Sequence, residues 1–115
     1  MKAFIKVMKA LSDPNRVKIL KLLQNKKLCV CELRCALGIS QPTVSKHLKV
    51  LEEAGLVSFK KDGLWVDYHL TDGRESAYAA SLLYSLKHWL NDESEIVAQV
   101  KKIPQLNRFE ICVKN

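Results

Sequence analysis

A helix stop and a helix start lie within three residues of each other at Gly38-Ile39-Ser40, and this constrains the fold more than any other feature. Residues from about Val30 to Leu37 form a short helical pattern. Gly38 closes it, because glycine accepts the left-handed backbone that a helix C-terminus often needs. Ser40 then caps a new helix, and Pro42 fits its first turn, where a missing N–H costs nothing. In this second helix Val44, Leu48 and Leu51 recur at i, i+4 and i+7 and make one buried stripe. Pro42, Lys46, Lys49 and Glu53 occupy the opposite side, with Ser45 beside them, and Gly55 ends the helix. A short helix, a glycine turn and a second helix with a polar outer face make a helix-turn-helix.

The period changes directly afterwards. Val57 and Phe59 alternate with Ser58 and Lys60, and Val66, Tyr68 and Leu70 alternate with Trp65, Asp67 and His69. Between them lies Lys61-Asp62-Gly63, and Asp-Gly is a strong hairpin turn. A hairpin in this position is a wing. Upstream, Phe4, Ile5, Met8 and Leu11 predict a helix over 2–11. Ser12-Asp13-Pro14 starts another, which runs to about Leu23 on Val17, Leu20 and Leu23. After Thr71-Asp72-Gly73 a long helical pattern carries Ala79, Leu82, Leu83, Leu86 and Leu90. A further stretch from about Glu93 to Lys102 stops before Pro104, and the tail beyond has no clear period. The expected fold is mostly α with a small β-hairpin wing, a winged helix-turn-helix in the order α-α-α-α-β-β-α. Residues 1–90 are expected to form the winged helix-turn-helix domain, and 91–115 a C-terminal helix and tail.

The 115 residues suffice for one domain, and 48% hydrophobic content supplies its core. With 19 Lys and Arg against 12 Asp and Glu, the net charge of +7 favours a polyanionic partner. No run approaches 18 apolar residues, so no membrane span is expected. Charge alone does not separate nucleic acid from an anionic membrane surface; position and motif do, and they favour DNA over a membrane partner. Lys2, Lys6 and Lys9 interrupt the start of the chain, so no secretory signal is read and a cytoplasmic location is expected. There is no Gly-rich phosphate loop, no activated serine and no informative carboxylate pair. An enzyme is not expected.

A helix fits the major groove of B-DNA, with its N-terminal residues facing base edges. Here those residues are Ser40, Gln41, Thr43, Ser45, Lys46 and His47, with Lys49 further along. Glutamine can pair with adenine, Ser and Thr with bases or phosphates, and Lys with guanine or phosphate. Lys60 and Lys61 of the wing can reach neighbouring phosphates. His47 lies between the buried stripe and the outer face, where it can either brace the turn or touch DNA.

Three of the four cysteines fall within seven residues, at Cys29, Cys31 and Cys35. In a reducing compartment such a cluster points to metal binding or redox chemistry. Cys31 and Cys35 share a helix face, whereas Cys29 and Cys31 are about 200° apart in a regular helix. They can hold one ion together only if Cys29 lies outside the helix or its first turn unwinds. Three thiolates suit a trigonal, thiophilic ion better than a structural zinc. Burial as small hydrophobes and a reversible disulfide are the competing readings. Cys112 is either a further ligand or an incidental tail thiol. His69 and His88 are isolated, and Trp65 and Trp89 read as packing residues.

Taken together, these residues resemble the ArsR/SmtB family of winged-helix metal sensors. The strings that carry the likeness are Ala10-Leu11-Ser12-Asp13-Pro14-Asn15-Arg16, Leu28-Cys29-Val30-Cys31-Glu32-Leu33, Ser40 to Leu48, and Glu53-Ala54-Gly55-Leu56-Val57, within about residues 3–90. The resemblance implies a homodimer joined through the first and long C-terminal helices. It also implies repression of a resistance operon through double-stranded operator DNA, with release when an inducer binds. Cys-Val-Cys is similar to that family's sensing site for As(III) or Sb(III), or for cadmium and lead, so Cys29 and Cys31 carry over as ligands. The arsenic pattern places its third cysteine where this chain has Arg34, and Cys35 comes one residue later. No cysteine precedes Cys29, unlike the cadmium and lead subtype, so arsenic is favoured. Another thiophilic metal (Cd or Pb) or thiol oxidation is the alternative trigger. The zinc subtype's His/Asp site on the last helix is missing.

Overall fold

The computed structural model describes residues 1–111. Helices α1 (Lys2–Ala10), α2 (Pro14–Leu23), α3 (Val30–Leu37) and α4 (Gln41–Glu53) precede an antiparallel hairpin of β1 (Val57–Asp62) and β2 (Trp65–Leu70). Helices α5 (Ala77–Leu86) and α6 (Ser94–Lys102) follow, then a 3₁₀ turn at Ile103–Gln105 and α7 (Arg108–Ile111). The fold is mostly helical with a two-stranded wing, as the period change predicts. Cys112 lies outside the described residues.

Side-chain oxygens set the helix starts. Asp13 Oδ1 accepts from the Asn15 N–H at 2.8 Å and the Arg16 N–H at 3.2 Å. Ser40 Oγ accepts from Thr43 at 3.4 Å, and Ser76 Oγ accepts from Ala79 at 3.2 Å. Gly38 ends α3 at φ +71°. Gly73 turns the chain at φ +77°, and a Cβ there would collide with Ala80, so both backbone and space demand glycine. The core joins every layer of the fold. Ile19, Leu20 and Leu22 of α2, Leu33 of α3, Leu48 and Leu51 of α4, and Leu56 before the wing are all fully buried. Each such side chain contributes about 1.5–3 kcal/mol of transfer free energy. The stripe of Val44, Leu48 and Leu51 faces inward as expected.

Asp13 is also an electrostatic anchor. Burial alone pushes its carboxyl up. The N–H groups of Arg16 and Asn15 and the positive charges of His47 and Arg16 outweigh this and hold it below the usual range. A carboxylate depressed in the folded state stabilises the fold above its unfolded pKa of about 3.9, and that contribution disappears as pH falls through the folded value. Asp13→Ala should therefore cost about 1–2 kcal/mol in urea unfolding at pH 7. The difference from wild type should shrink below about pH 4. An equal difference at pH 7 and pH 3 would contradict this assignment.

The last expected helix is shorter than its pattern. α5 stops at Leu86, and Leu90 falls outside it with φ +63°. The cause is Lys21. Its ammonium is buried on α2 and donates to Leu86 O at 2.8 Å, Trp89 O at 2.9 Å and Asn91 Oδ1 at 2.6 Å. Asn91 Nδ2 donates back to Lys87 O at 2.9 Å. A cation at a helix C-terminus satisfies the carbonyls that have no partner within the helix, so the chain turns there. α6 then packs on α2 and α3, with Ile96 and Ile103 buried.

In the wing the register runs from Val57 opposite Leu70 to Asp62 opposite Trp65, with Gly63 and Leu64 at the turn. Tyr68 and Leu70 pack on the core. Asp67, on the other face, is 2% exposed because the tail covers it. Leu28 pairs with Tyr68 through two backbone hydrogen bonds of 3.1 and 2.9 Å, so the segment leading into α3 forms a third short rung on the wing.

Candidate nucleic-acid interface and thiol site

Gln41, Ser45, Lys46 and Lys49 project from α4 and are exposed, as are Lys60 and Lys61 on β1. Ser40 and Thr43 are tied to each other at the start of the helix, Oγ to Oγ1 at 2.8 Å. Their hydroxyls hold the first turn in place while remaining at the surface. His47 points back toward α2. Its Nδ1 lies 3.3 Å from Arg16 Nη1 and its Nε2 3.9 Å from Asp13 Oδ1, and the side chain is mostly covered. Arg16 also donates to Ala10 O at 2.7 Å and Lys9 O at 3.0 Å. His47 thus braces α4 against the α1–α2 turn and fixes the angle at which the polar face of α4 is presented.

The thiols sit at the start of α3, which packs directly against α4. Cys29 is the N-cap residue, with extended backbone (φ −89°, ψ 172°), and is buried. It therefore lies outside the helix, one of the two conditions under which Cys29 and Cys31 can share an ion. Cys31 is half-buried and Cys35 exposed. Glu32 closes a capping box, with its Oε1 accepting from the Cys29 N–H at 3.0 Å. Among the described residues no three His, Cys, Asp or Glu side chains are already gathered to hold a metal ion. The first turn of α3 must rearrange before three sulfurs can meet.

Sequence reasoning missed the group that covers this site. Arg108 of α7 donates to Asp67 Oδ1 at 2.5 Å. It also lies 3.8 Å from Glu32 Oε1 and 3.6 Å from Asp62 Oδ2. Its guanidinium sits 5.1 Å from the centre of the Trp65 ring, and Phe109 meets the same ring edge-on at 5.8 Å. The hydrogen bond to Asp67, opposed by burial, and then the charges of Asp67, Glu32 and Cys29 hold Arg108 above its ordinary proton affinity. Two signals were available, an acid in an apolar strand pattern and an arginine in an aperiodic tail, but nothing local joins them.

Residues 13–58 match the family model described as "Bacterial regulatory protein, arsR family". The arsenical resistance operon repressor of Escherichia coli strain K12 is 36% identical over 104 residues, 90% of this chain and 86% of that protein. The chain belongs to the arsR family. Family members are DNA-binding transcriptional regulators. Among solved structures, the transcriptional repressor BigR from Xylella fastidiosa superposes with a TM-score of 0.63 at 34% identity, covering 72% of this chain and 78% of that one. A homodimeric winged helix-turn-helix DNA-binding domain from Mycobacterium bovis gives 0.65 at 28%, covering 76% and 77%. The arsR match spans the second helix through the first wing residues and includes Cys29, Cys31 and Cys35. No helix among the described residues is long and apolar enough to cross a membrane.

Proposed function

We propose that this arsR-family regulator is a cytoplasmic, homodimeric repressor that leaves its double-stranded operator when As(III) is captured by Cys29, Cys31 and Cys35. Sb(III) is expected to act in the same way. The observation that carries the reading is the position of Cys29 as the capping residue of the helix that supports α4. Each thiol gives up its proton as an As–S bond replaces an As–O bond. Three waters leave and arsenic stays trivalent, so no electrons are transferred. Drawing Cys29, Cys31 and Cys35 together costs the capping box and the first turn of α3. The arsenical repressor named above supports the choice of ion.

For the dimer, α1 and α5 present a shared apolar face. Phe4 and Tyr78 meet edge-on at 5.4 Å, and with Ile5 and Tyr84 they are exposed in one chain. The homodimeric relative supports pairing there. Two-fold symmetry would set the two α4 helices about 34 Å apart, one turn of DNA. A coupling of about 1–3 kcal/mol between thiols and DNA is enough for release.

The test is fluorescence anisotropy of the reduced protein on the DNA upstream of its own coding region, titrated with As(III), Cd(II) and Zn(II). Release by As(III) but not by Zn(II) is expected. Tight binding that no ion relieves would remove the metalloid reading. Lys46→Ala should weaken binding and lower the slope of log K against log salt by about 1. An unchanged slope would take Lys46 off the phosphates.

A further inference from the structure

We propose that Arg108 is the positioning residue that carries the state of the thiol site to the wing. This rests on the thiol-sensing reading and adds the route by which the signal travels. One carboxylate oxygen, Glu32 Oε1, both caps the Cys29 N–H at 3.0 Å and faces Arg108 Nη1 at 3.8 Å. The same nitrogen donates to Asp67 Oδ1 in β2 at 2.5 Å. The guanidinium thus stands between the cap of α3 and the wing, and its second nitrogen faces Asp62 beside the hairpin turn.

Asp67 cannot easily do without this partner. It is 2% exposed, and its Oδ2 has no hydrogen-bond partner among the described residues. A buried carboxylate that loses the cation paired with it is strongly destabilised. The guanidinium lies over the Trp65 ring of β2, and Phe109 packs edge-on against that ring, so a shift of Arg108 is felt by the wing. When Cys29 is drawn toward an ion, Glu32 Oε1 loses the N–H it caps and its charge is left to Arg108. The guanidinium is then shared differently between Glu32 and Asp67, and β2 with Lys60 and Lys61 on its neighbour strand responds. The backbone rung between Leu28 and Tyr68 holds the two ends of this route in register.

The experiment compares operator Kd with and without As(III) in the full-length reduced protein, for wild type, Arg108→Gln, Arg108→Lys and Glu32→Gln. Glu32→Gln keeps an oxygen to cap Cys29 and removes only the charge, so it guards against simple unfolding of α3. Wild type should lose operator affinity by about tenfold or more on adding As(III). In Arg108→Gln and Glu32→Gln that ratio should fall below about threefold, with Arg108→Lys between, because a point charge cannot bridge two carboxylates as a planar fork does. A purely structural role would weaken binding equally with and without As(III) and leave the ratio at its wild-type value. In a Trp89→Phe background, As(III) should shift the emission of Trp65, and Arg108→Gln should remove the shift. Release of wild type with unchanged ratios in both Arg108→Gln and Glu32→Gln overturns the relay alone. Failure of As(III) to release the wild type overturns the sensing reading, and the relay falls with it.

Discussion

Cys29→Ser is expected to keep operator binding and to lose its response to As(III), a change of about tenfold or more in the operator Kd ratio. The expectation follows from where Cys29 sits. It is an N-cap residue with extended backbone, and Glu32 already completes the capping box. Serine is among the preferred N-caps, so the substitution supplies a better acceptor for the first turn of α3 while deleting the sulfur. Fold and function therefore separate at this position, which is rare for a buried residue. Cys31→Ser, at a half-buried position in the first turn, should behave the same way. The measurement is anisotropy on operator DNA under reducing conditions, with thermal unfolding of each variant alongside. A Cys29→Ser protein that still releases DNA with As(III) would show that this sulfur is not a ligand.

Lys21→Met is expected to cost about 3 kcal/mol, which lowers Tm by roughly 10 °C in a chain of this size. Methionine can occupy the path of the aliphatic stem, so the loss isolates the ammonium. Three acceptors depend on it, Leu86 O, Trp89 O and Asn91 Oδ1, and the first of these bonds is fully buried. Without the cation the C-terminus of α5 loses the donor that ends it, and the turn leading to α6 loses its anchor. Burial also pushes the Lys21 pKa below its ordinary 10.5. A proton affinity depressed in the fold favours folding above the unfolded pKa and loses that contribution as pH falls through the folded value. Wild type should thus show a rising stability term as pH climbs toward 10.5, and Lys21→Met should lack it. Urea unfolding at pH 7 and pH 10 measures both effects. A variant as stable as wild type would mean that the three oxygens find water instead.

These two positions differ in how far the sequence announced them. Cys29 was legible because three cysteines in seven residues are conspicuous, and because a capping position is a local property of the chain. The polar face of α4 was legible for the same reason. Ser40, Pro42 and the stripe of Val44, Leu48 and Leu51 specify a helix, its start and its inward side within one stretch of 12 residues. Asp62-Gly63 likewise announced the hairpin, although Lys61 and Asp62 pair within the ladder and the turn itself is Gly63-Leu64.

Other features needed the folded chain. Lys21 reads as an ordinary polar residue of an amphipathic helix, yet it ends a helix 65 residues later. Asp67 reads as the solvent side of a strand, yet Arg108 buries it from 41 residues away. His47 was undecided between DNA and the turn until α2 placed Asp13 and Arg16 beside it. The spread of the three thiols, buried, half-buried and exposed, also emerged only when the surroundings of α3 were in place. Sequence alone determined where the capped helices begin, which faces are apolar and where the thiols cluster, because caps, glycine turns and periodicity act over a few residues. Tertiary structure decided which charges are buried and with whom, because such pairs form between segments that only the packed core brings together.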